Sequence, residues 1–208
     1  TTGLFVITNG TLIEISPQIF LSDEPPDFST TAGDATVTII DTNINNITPT
    51  DSVEFLTPVS VGGIILSGIY PIATQVSATS YTIEARELAT ATEANGGVVP
   101  EFDTTSGSST INVTLPDSNQ TIGNTVVFPI PTVVGGLTIE GKYTVNSVVG
   151  VDEFTISATE AATSTANGFM NGGDVGFKYL IALGPTGAGL GYGLGDYGEG
   201  PYGLGGGA

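Results

Sequence analysis

The sequence predicts an all-β protein: two tandem copies of a small β-sandwich or half-barrel module, with a β-hairpin before them and a Gly/Tyr-rich extended segment after them. Three observations predict it. Short runs alternate apolar and polar residues with a period of two, as in Asp34–Ile40 (D-A-T-V-T-I-I), Tyr81–Ala85 (Y-T-I-E-A) and Glu153–Ala158 (E-F-T-I-S-A), each bounded by Gly, Pro, Asn, Asp or Ser. No segment carries a convincing 3.6-residue period; the best helical candidate, Glu84–Ala94, has an Ala/Thr/Ser-rich counterpart in the second half. Finally, the chain is internally duplicated: Val53–Gly63 (V-E-F-L-T-P-V-S-V-G-G) matches Val126–Gly136 (V-V-F-P-I-P-T-V-V-G-G) at an offset of 73, and 12 of the 33 positions from Val53 to Ala85 are identical under that shift.

Taken in chain order, residues 1–25 open with Gly3–Ile15, two alternating runs across Asn9-Gly10, the strongest short-range hairpin signal. The first module occupies 26–99, with strands expected near Ala35–Ile40, Ser52–Leu56, Ile64–Leu66, Ile69–Val76 and Ser80–Arg86. The second occupies 100–183, with strands near Ser109–Leu115, Asn124–Phe128, Leu137–Ile139, Lys142–Val149 and Glu153–Ala158, and a last strand within Asp174–Leu183. The Gly62-Gly63 and Gly135-Gly136 pairs suit tight turns with positive φ, and Gly68 and Gly141, one residue from a strand start, suit a turn or bulge. A five-stranded unit of roughly 70 residues is marginal alone, so the two are expected to pack on each other or on a larger body. Residues 184–208 follow, with Tyr192, Tyr197 and Tyr202 at five-residue spacing in a Gly-rich strip. So much Gly cannot form a core of its own, but these tyrosines could dock on a partner or contact a ligand.

Composition excludes several functions. The 208 residues carry 21 Asp+Glu against 3 Lys+Arg, a net charge of −18, with no His, no Cys and no Trp. Zinc sites of the Cys/His kind, Ser–His–Asp or Cys–His catalysis and disulfide scaffolds are therefore ruled out. Specific nucleic-acid binding by phosphate neutralisation needs clustered cations, which three residues do not supply. The longest apolar runs, such as Ile64-Ile65-Leu66, fall far short of the ~20 residues of a membrane helix. The chain begins Thr1-Thr2-Gly3, without Met and without a basic n-region, and is expected to be a piece of a longer polypeptide.

Chemistry-bearing motifs are weak. Gly187–Gly193 is Gly-rich but lacks the strand–turn–helix setting and the Lys-Ser/Thr of a phosphate loop. The carboxylate pairs Asp23/Glu24, Glu101/Asp103 and Asp152/Glu153 stand beside turn-forming residues and read as solvated loop charges. No D-x-D-x-D-G calcium loop occurs. The Asn-x-Thr sequons at Asn9, Asn46, Asn112 and Asn119 are expected by chance with 31 Thr in the chain. No catalytic residue, metal ligand or cofactor is expected.

The repeated pattern V-x-F-x-x-x-x-x-V-G-G-(I/L)-x-(I/L)-x-G-x-Y, then (Y/F)-T-I-x-A and an A/T-rich stretch ending in A-N-G, resembles a module of tailed-bacteriophage virion proteins, found in tail nozzle or tube-tip proteins and tail fibres. Leu4–Pro17 is similar to the propeller-blade-like hairpin that precedes the module there, and Gly191–Gly203 echoes a Gly-aromatic tail. The resemblance implies a non-enzymatic structural subunit of a virion tail, in a homo-oligomeric ring with other virion subunits. In that setting the acidic surface would let DNA slide past. The alternative it leaves is a module of a fibre or cell-surface adhesin that binds a host-surface glycan or receptor.

Overall fold

A computed structural model describes residues 25–45 and 47–182. The expected hairpin at 3–15, Asp23/Glu24, Gly187–Gly193 and the docking candidates Tyr192, Tyr197 and Tyr202 lie outside the described residues. The described chain is all-β. Its first half runs β1 (Asp27–Thr30), β2 (Thr36–Ile40), β3 (Ser52–Val61), β4 (Ile64–Gln75), β5 (Ser80–Glu84) and β6 (Glu93–Gly96). The second runs β7 (Glu101–Thr104), β8 (Thr110–Thr114), β9 (Thr125–Val134), β10 (Leu137–Thr144), β11 (Ser147–Val148), β12 (Glu153–Ser157) and β13 (Ala166–Phe169). A one-turn 3₁₀ segment, Met170–Gly173, leads to β14 (Phe177–Leu180).

Seven antiparallel strands form one sheet in the order β14-β3-β4-β5-β2-β1-β6. It curls into a half-barrel, because Ser60 of β3 and Val98, just past β6, exchange two backbone hydrogen bonds of 2.8 Å. Strand alternation sets the inside: Val37 and Ile39 of β2, Val53 and Phe55 of β3 and Tyr81 and Ile83 of β5 are buried around Phe28 and Leu66. The second half gathers Phe102, Ile111, Val113, Phe128, Ile139, Phe154, Ile156 and Met170 into its own cluster. There the strands divide into a β10-β9 pair and a sheet β11-β12-β8-β7-β13. The division falls where β4 of the first half runs unbroken from β3 to β5, whereas its counterpart is interrupted at Val145 and Asn146.

Local chemistry recurs at equivalent positions. Val61 pairs with Ile64 and Val134 with Leu137 across two-residue turns, and all four turn glycines have positive φ (54°, 80°, 58° and 82°), the geometry of a type I′ hairpin. The Gly62 carbonyl accepts from the backbone N–H of Thr90 and Ala91 at 2.9 and 3.1 Å; the Gly135 carbonyl accepts from Thr163 and Ser164 at 2.9 and 3.2 Å. Both long hairpins carry an irregularity, between Phe55 and Val59 opposite Ser67 and between Phe128 and Thr132 opposite Glu140, which absorbs Pro58 and Pro131 where a regular ladder would need an N–H.

Glu84–Ala94, the best helical candidate, forms no helix, in line with the all-β reading: its backbone is claimed by neighbouring loops, with Ala89 N–H bonding Asp34 O and Ala89 O accepting from Gly33, each at 2.8 Å, and the stretch runs into β6. Two expectations are amended. Ile64–Leu66 and Ile69–Val76 are one strand, β4. The strand expected within Asp174–Leu183 is β14, but it pairs with β3 of the first half, in the register Phe177↔Phe55, Lys178↔Glu54, Tyr179↔Val53, Leu180↔Ser52, rather than with any strand of the span 100–183.

Candidate functional site

Comparing equivalent positions of the two halves locates the features that differ, and they converge on the second half. The first is a groove over β10. In the first half, Arg86 follows β5, lays its guanidinium 4.7 Å from the Tyr70 ring centroid and donates to the Ser67 carbonyl at 2.9 Å and the Tyr70 hydroxyl at 3.1 Å. This cation–π and hydrogen-bonded contact covers the hairpin surface. Its counterpart is Thr159, too short to reach Tyr143. What remains is an open groove of about 730 Å³ lined by Thr138, Glu140, Lys142, Tyr143, Asn146, Ser157 and Glu160, among others. The Tyr143 hydroxyl accepts from Glu140 N–H at 3.2 Å, and its ring leans on Phe128 at 5.9 Å, so one aromatic wall is fixed in place. Polar donors and acceptors of both charge signs surround it.

The second difference concerns the outer edge of the long hairpin. In the first half β14 covers the β3 edge and is fastened by buried polar groups. Tyr179 donates to Asp41 Oδ2 at 2.9 Å, and with that proton committed, Tyr81 donates to the Tyr179 oxygen at 3.0 Å. Asp41 Oδ1 accepts from the Asn43 backbone and side chain at 2.9 and 3.0 Å. Asp51 Oδ1 accepts from Ala182 N–H at 2.8 Å, while its Oδ2 holds Thr48. Burial, reinforced by the neighbouring Tyr81 and the Asp41 charge, pushes the Tyr179 phenol well above its ordinary range; burial does the same to Tyr81, partly offset by the hydrogen bond with Tyr179. Lys178 and Glu54 form a 3.0 Å ion pair across the strands.

Of this polar apparatus only the Thr48–Asp51 turn has a counterpart, with Thr121 donating to Asn124 Oδ1 at 3.0 Å; the rest does not recur. Ahead of β3 the offset is 74, matching Asp27-Phe28-Ser29-Thr30-Thr31 with Glu101-Phe102-Asp103-Thr104-Thr105, so Leu115 stands at the position of Asp41; at the offset of 73, Phe154 stands at that of Tyr81 and Val127 at that of Glu54. Among the described residues β9 pairs with β10 alone. Val53 is fully buried, whereas its equivalent Val126 is half-buried and Val127 is 43% exposed. Between this edge and the β3–β4 hairpin runs an apolar cleft of about 430 Å³, with Leu115, Val126, Phe128 and Phe154 on one side and Leu56, Pro58 and Ile65 on the other.

Of the described carboxylates named from sequence, Asp152 is a loop charge as expected, whereas Glu101, Asp103 and Glu153 lie half-buried on β7 and β12, their strands' alternation burying Phe102 and Phe154 instead. Asp152 caps Asp117 N–H at 2.8 Å, Glu153 accepts from Asn112, and Glu101 accepts from Asn167 at 3.3 Å. Among the described residues no three acidic side chains cluster as a metal site would require, and no helix is long and apolar enough to cross a membrane. The groove and the open edge were missed by motif reading; the signal that finds them is the repeat alignment itself, at Arg86/Thr159, Asp41/Leu115 and Glu54/Val127. Comparison with known protein families, curated proteins and solved structures finds no match to this chain.

Proposed function

We propose that the chain is a non-enzymatic structural component of a bacteriophage virion, part of a tail nozzle, tube tip or fibre, assembling through β-strand contacts into a homo-oligomeric ring. The observation that carries the reading is the ordered set of sequence resemblances: the Leu4–Pro17 hairpin, then the doubled V-x-F…V-G-G…G-x-Y module, then the Gly-aromatic strip. Two further features support it. Elements far apart in the chain are tied together by strand return, β14 onto β3, the kind of β-strand pairing by which subunits would also join. The net charge of −18 discourages adhesion of a passing polyanion. The test is the mass of the purified chain by light scattering, with electron microscopy of the particle: a closed ring or a position in a virion tail supports the reading, and a lone monomer absent from particles overturns it.

One observation favours a second reading, a host-glycan or receptor-binding module: the open groove beside Tyr143, which combines an aromatic wall with Asn146, Glu140 and Glu160. A glycan-binding screen tests it. Binding that is abolished by Thr159→Arg, which places in the groove the side chain that Arg86 supplies in the first half, supports this reading. An empty screen removes it.

A further inference from the structure

The first half shows how this fold seats a guanidinium. That of Arg86 lies 4.7 Å from the Tyr70 ring centroid and donates to the Ser67 carbonyl at 2.9 Å and to the Tyr70 hydroxyl at 3.1 Å. The same hydroxyl accepts from Ser67 N–H at 3.4 Å, so the strand steadies the phenol that receives the cation. Under the offset of 73 the receiving positions recur without the arginine: Tyr143 stands at Tyr70, Glu140 at Ser67 and Glu160 at Glu87, with Thr159 at Arg86. Their geometry recurs too. The Tyr143 hydroxyl accepts from Glu140 N–H at 3.2 Å. Glu140 lies between the pairs Ile139↔Thr132 and Gly141↔Phe128, opposite the hairpin irregularity, as Ser67 lies between Leu66↔Val59 and Gly68↔Phe55. Tyr143 is half-buried where Tyr70 is 2% exposed.

We infer that the groove beside Tyr143 receives an arginine side chain presented by a partner protein, laid over the Tyr143 ring as Arg86 is laid over Tyr70. The second half departs from the first in the direction that favours a cation from outside. Glu140 in place of Ser67 adds a carboxylate, and with Glu160 it sets two carboxylates against one ammonium, Lys142, in the lining. Asn146 donates to Ser157 Oγ at 2.7 Å, which leaves its carbonyl oxygen to accept. A guanidinium uses all of this, since its five N–H donors lie in a plane that also stacks on an aromatic face, and an ammonium has neither the plane nor the fork. A neutral sugar could stack on the same ring but would leave both carboxylates without a counter-charge. Arg86 is the only arginine of the 208 residues and is committed to Tyr70, so the guanidinium is supplied from outside them. At about 730 Å³ the groove is far larger than one side chain, which gives the residues flanking a partner's arginine room beside β10. The inference names a contact that the structural reading leaves unspecified, and it stands whether or not the chain forms a ring.

The test is a titration of the full chain, followed by amide NMR shifts, with the peptide acetyl-Gly-Arg-Gly-amide. The same peptide with citrulline for arginine serves as the neutral isostere, and guanidinium chloride as the bare ion. The expected result is a set of shifts confined to residues 138–146 and 157–160, with binding weaker by about tenfold or more for the citrulline peptide and for the bare ion. Thr159→Arg should abolish the shifts by filling the groove from within. Arg86→Thr should do the converse, adding a second set of shifts around Tyr70 that the parent chain does not show. The inference is overturned by an arginine peptide that moves nothing in the groove, by equal binding of the citrulline peptide or the bare ion, by shifts that survive Thr159→Arg, or by no site gained in Arg86→Thr. A glycan that moves the groove resonances when the arginine peptide does not would give the groove to the sugar and overturn it as well.

Discussion

Removing one hydroxyl, in Tyr179→Phe, tests whether β14 is held by its buried polar chain or by apolar contact alone. The substitution keeps the ring contacts with Tyr81 at 5.9 Å and Phe177 at 5.4 Å. It deletes the donor to Asp41 and the acceptor of Tyr81, and both of these residues are buried, at 3% and 0% exposure. A hydrogen bond to a charged group contributes about 1.5–3 kcal/mol, and a stranded neutral hydroxyl costs about 1 kcal/mol more, so Tyr179→Phe should destabilise the protein by about 2.5–4 kcal/mol. The second half supplies the control, since it fills the equivalent positions with Leu115 and Phe154. Asp41→Leu, Tyr81→Phe and Tyr179→Phe together remove every partner at once, leaving only Asn43, which is exposed and can turn to water. That triple variant should return to within about 1 kcal/mol of the parent, because deleting a whole polar cluster is far cheaper than orphaning one member. Urea unfolding followed by circular dichroism measures both. If Tyr179→Phe changed stability by less than about 0.5 kcal/mol, or if the triple variant were worse than the single, the assignment of β14 anchoring to this cluster would be wrong.

Three more outcomes are expected. Tyr81 and Tyr179 keep their protons in the folded state above the pH at which an unfolded phenol loses its own, so their contribution is complete below pH about 10 and declines above it, by about 1.4 kcal/mol per pH unit for each, or about 2.7 for the pair; a urea midpoint that stays flat between pH about 9 and 11 would contradict this. Gly62→Ala drives a methyl into Thr30 Oγ1 and to 2.8 Å from the Ala91 carbonyl, at a φ of +54°, and should cost about 3–5 kcal/mol; Gly33→Ala, at +83° with open space around it, should cost only about 1–2 kcal/mol, the two being compared by thermal unfolding. Thr57→Val removes the buried oxygen that accepts from Gly176 N–H at 2.9 Å and should cost about 1–3 kcal/mol, with amide exchange rising first in Phe177–Leu180.

Most of the central strands were legible because their side chains alternate: Val37/Ile39, Tyr81/Ile83 and Phe154/Ile156 announce one buried face. The four-residue strands β6 and β13 were not. E-A-N-G and A-N-G-F have no alternation, Asn95 sits at a φ of 54°, and their ladder partners β1 and β7 lie more than sixty residues away. The Ala/Glu-rich stretch after β5 looked weakly helical because local propensity cannot register that the Gly33 and Asp34 backbone requires its N–H and C=O groups. Which edge β14 joins is likewise invisible locally, since its specificity resides in Asp41, Asp51 and Tyr81, some 90 to 140 residues upstream, and becomes readable only when a topology brings them together. Of the acidic pairs, only Asp152 is the loop charge its turn neighbours suggested, capping the Asp117 turn; Glu101, Asp103 and Glu153 lie half-buried on strands β7 and β12, because the alternation that buries Phe102 and Phe154 sets them on the opposite face. The groove beside Tyr143 was present in the sequence as an Arg-to-Thr change between equivalent positions, but only the Tyr70–Arg86 contact gives that change a meaning.

Positions that the halves share and positions that they do not share have different physical duties. The shared ones permit few alternatives: two glycines at positive φ in each hairpin, a threonine whose hydroxyl bonds the neighbouring loop carbonyl (Thr30 to Ala91 at 3.0 Å, Thr104 to Ser164 at 3.2 Å), and an aromatic beside the irregularity, Phe55 and Phe128. A Cβ at Gly62 or Gly135 would strike that same threonine oxygen in either half, so the hairpin and its latch must be kept together or lost together. The edge of β3 or β9 and the surface over β4 or β10 are under no such constraint, because the same scaffold folds with Asp41, Tyr81 and Glu54 beside one edge and with Leu115, Phe154 and Val127 beside the other. Divergence there changes which partner fits without endangering the fold. The first half has used that freedom to bind β14 and to cover Tyr70 with its own Arg86. Among the described residues the second half leaves both surfaces uncovered, so the two halves differ at β9 and at Tyr143 rather than in the shared scaffold.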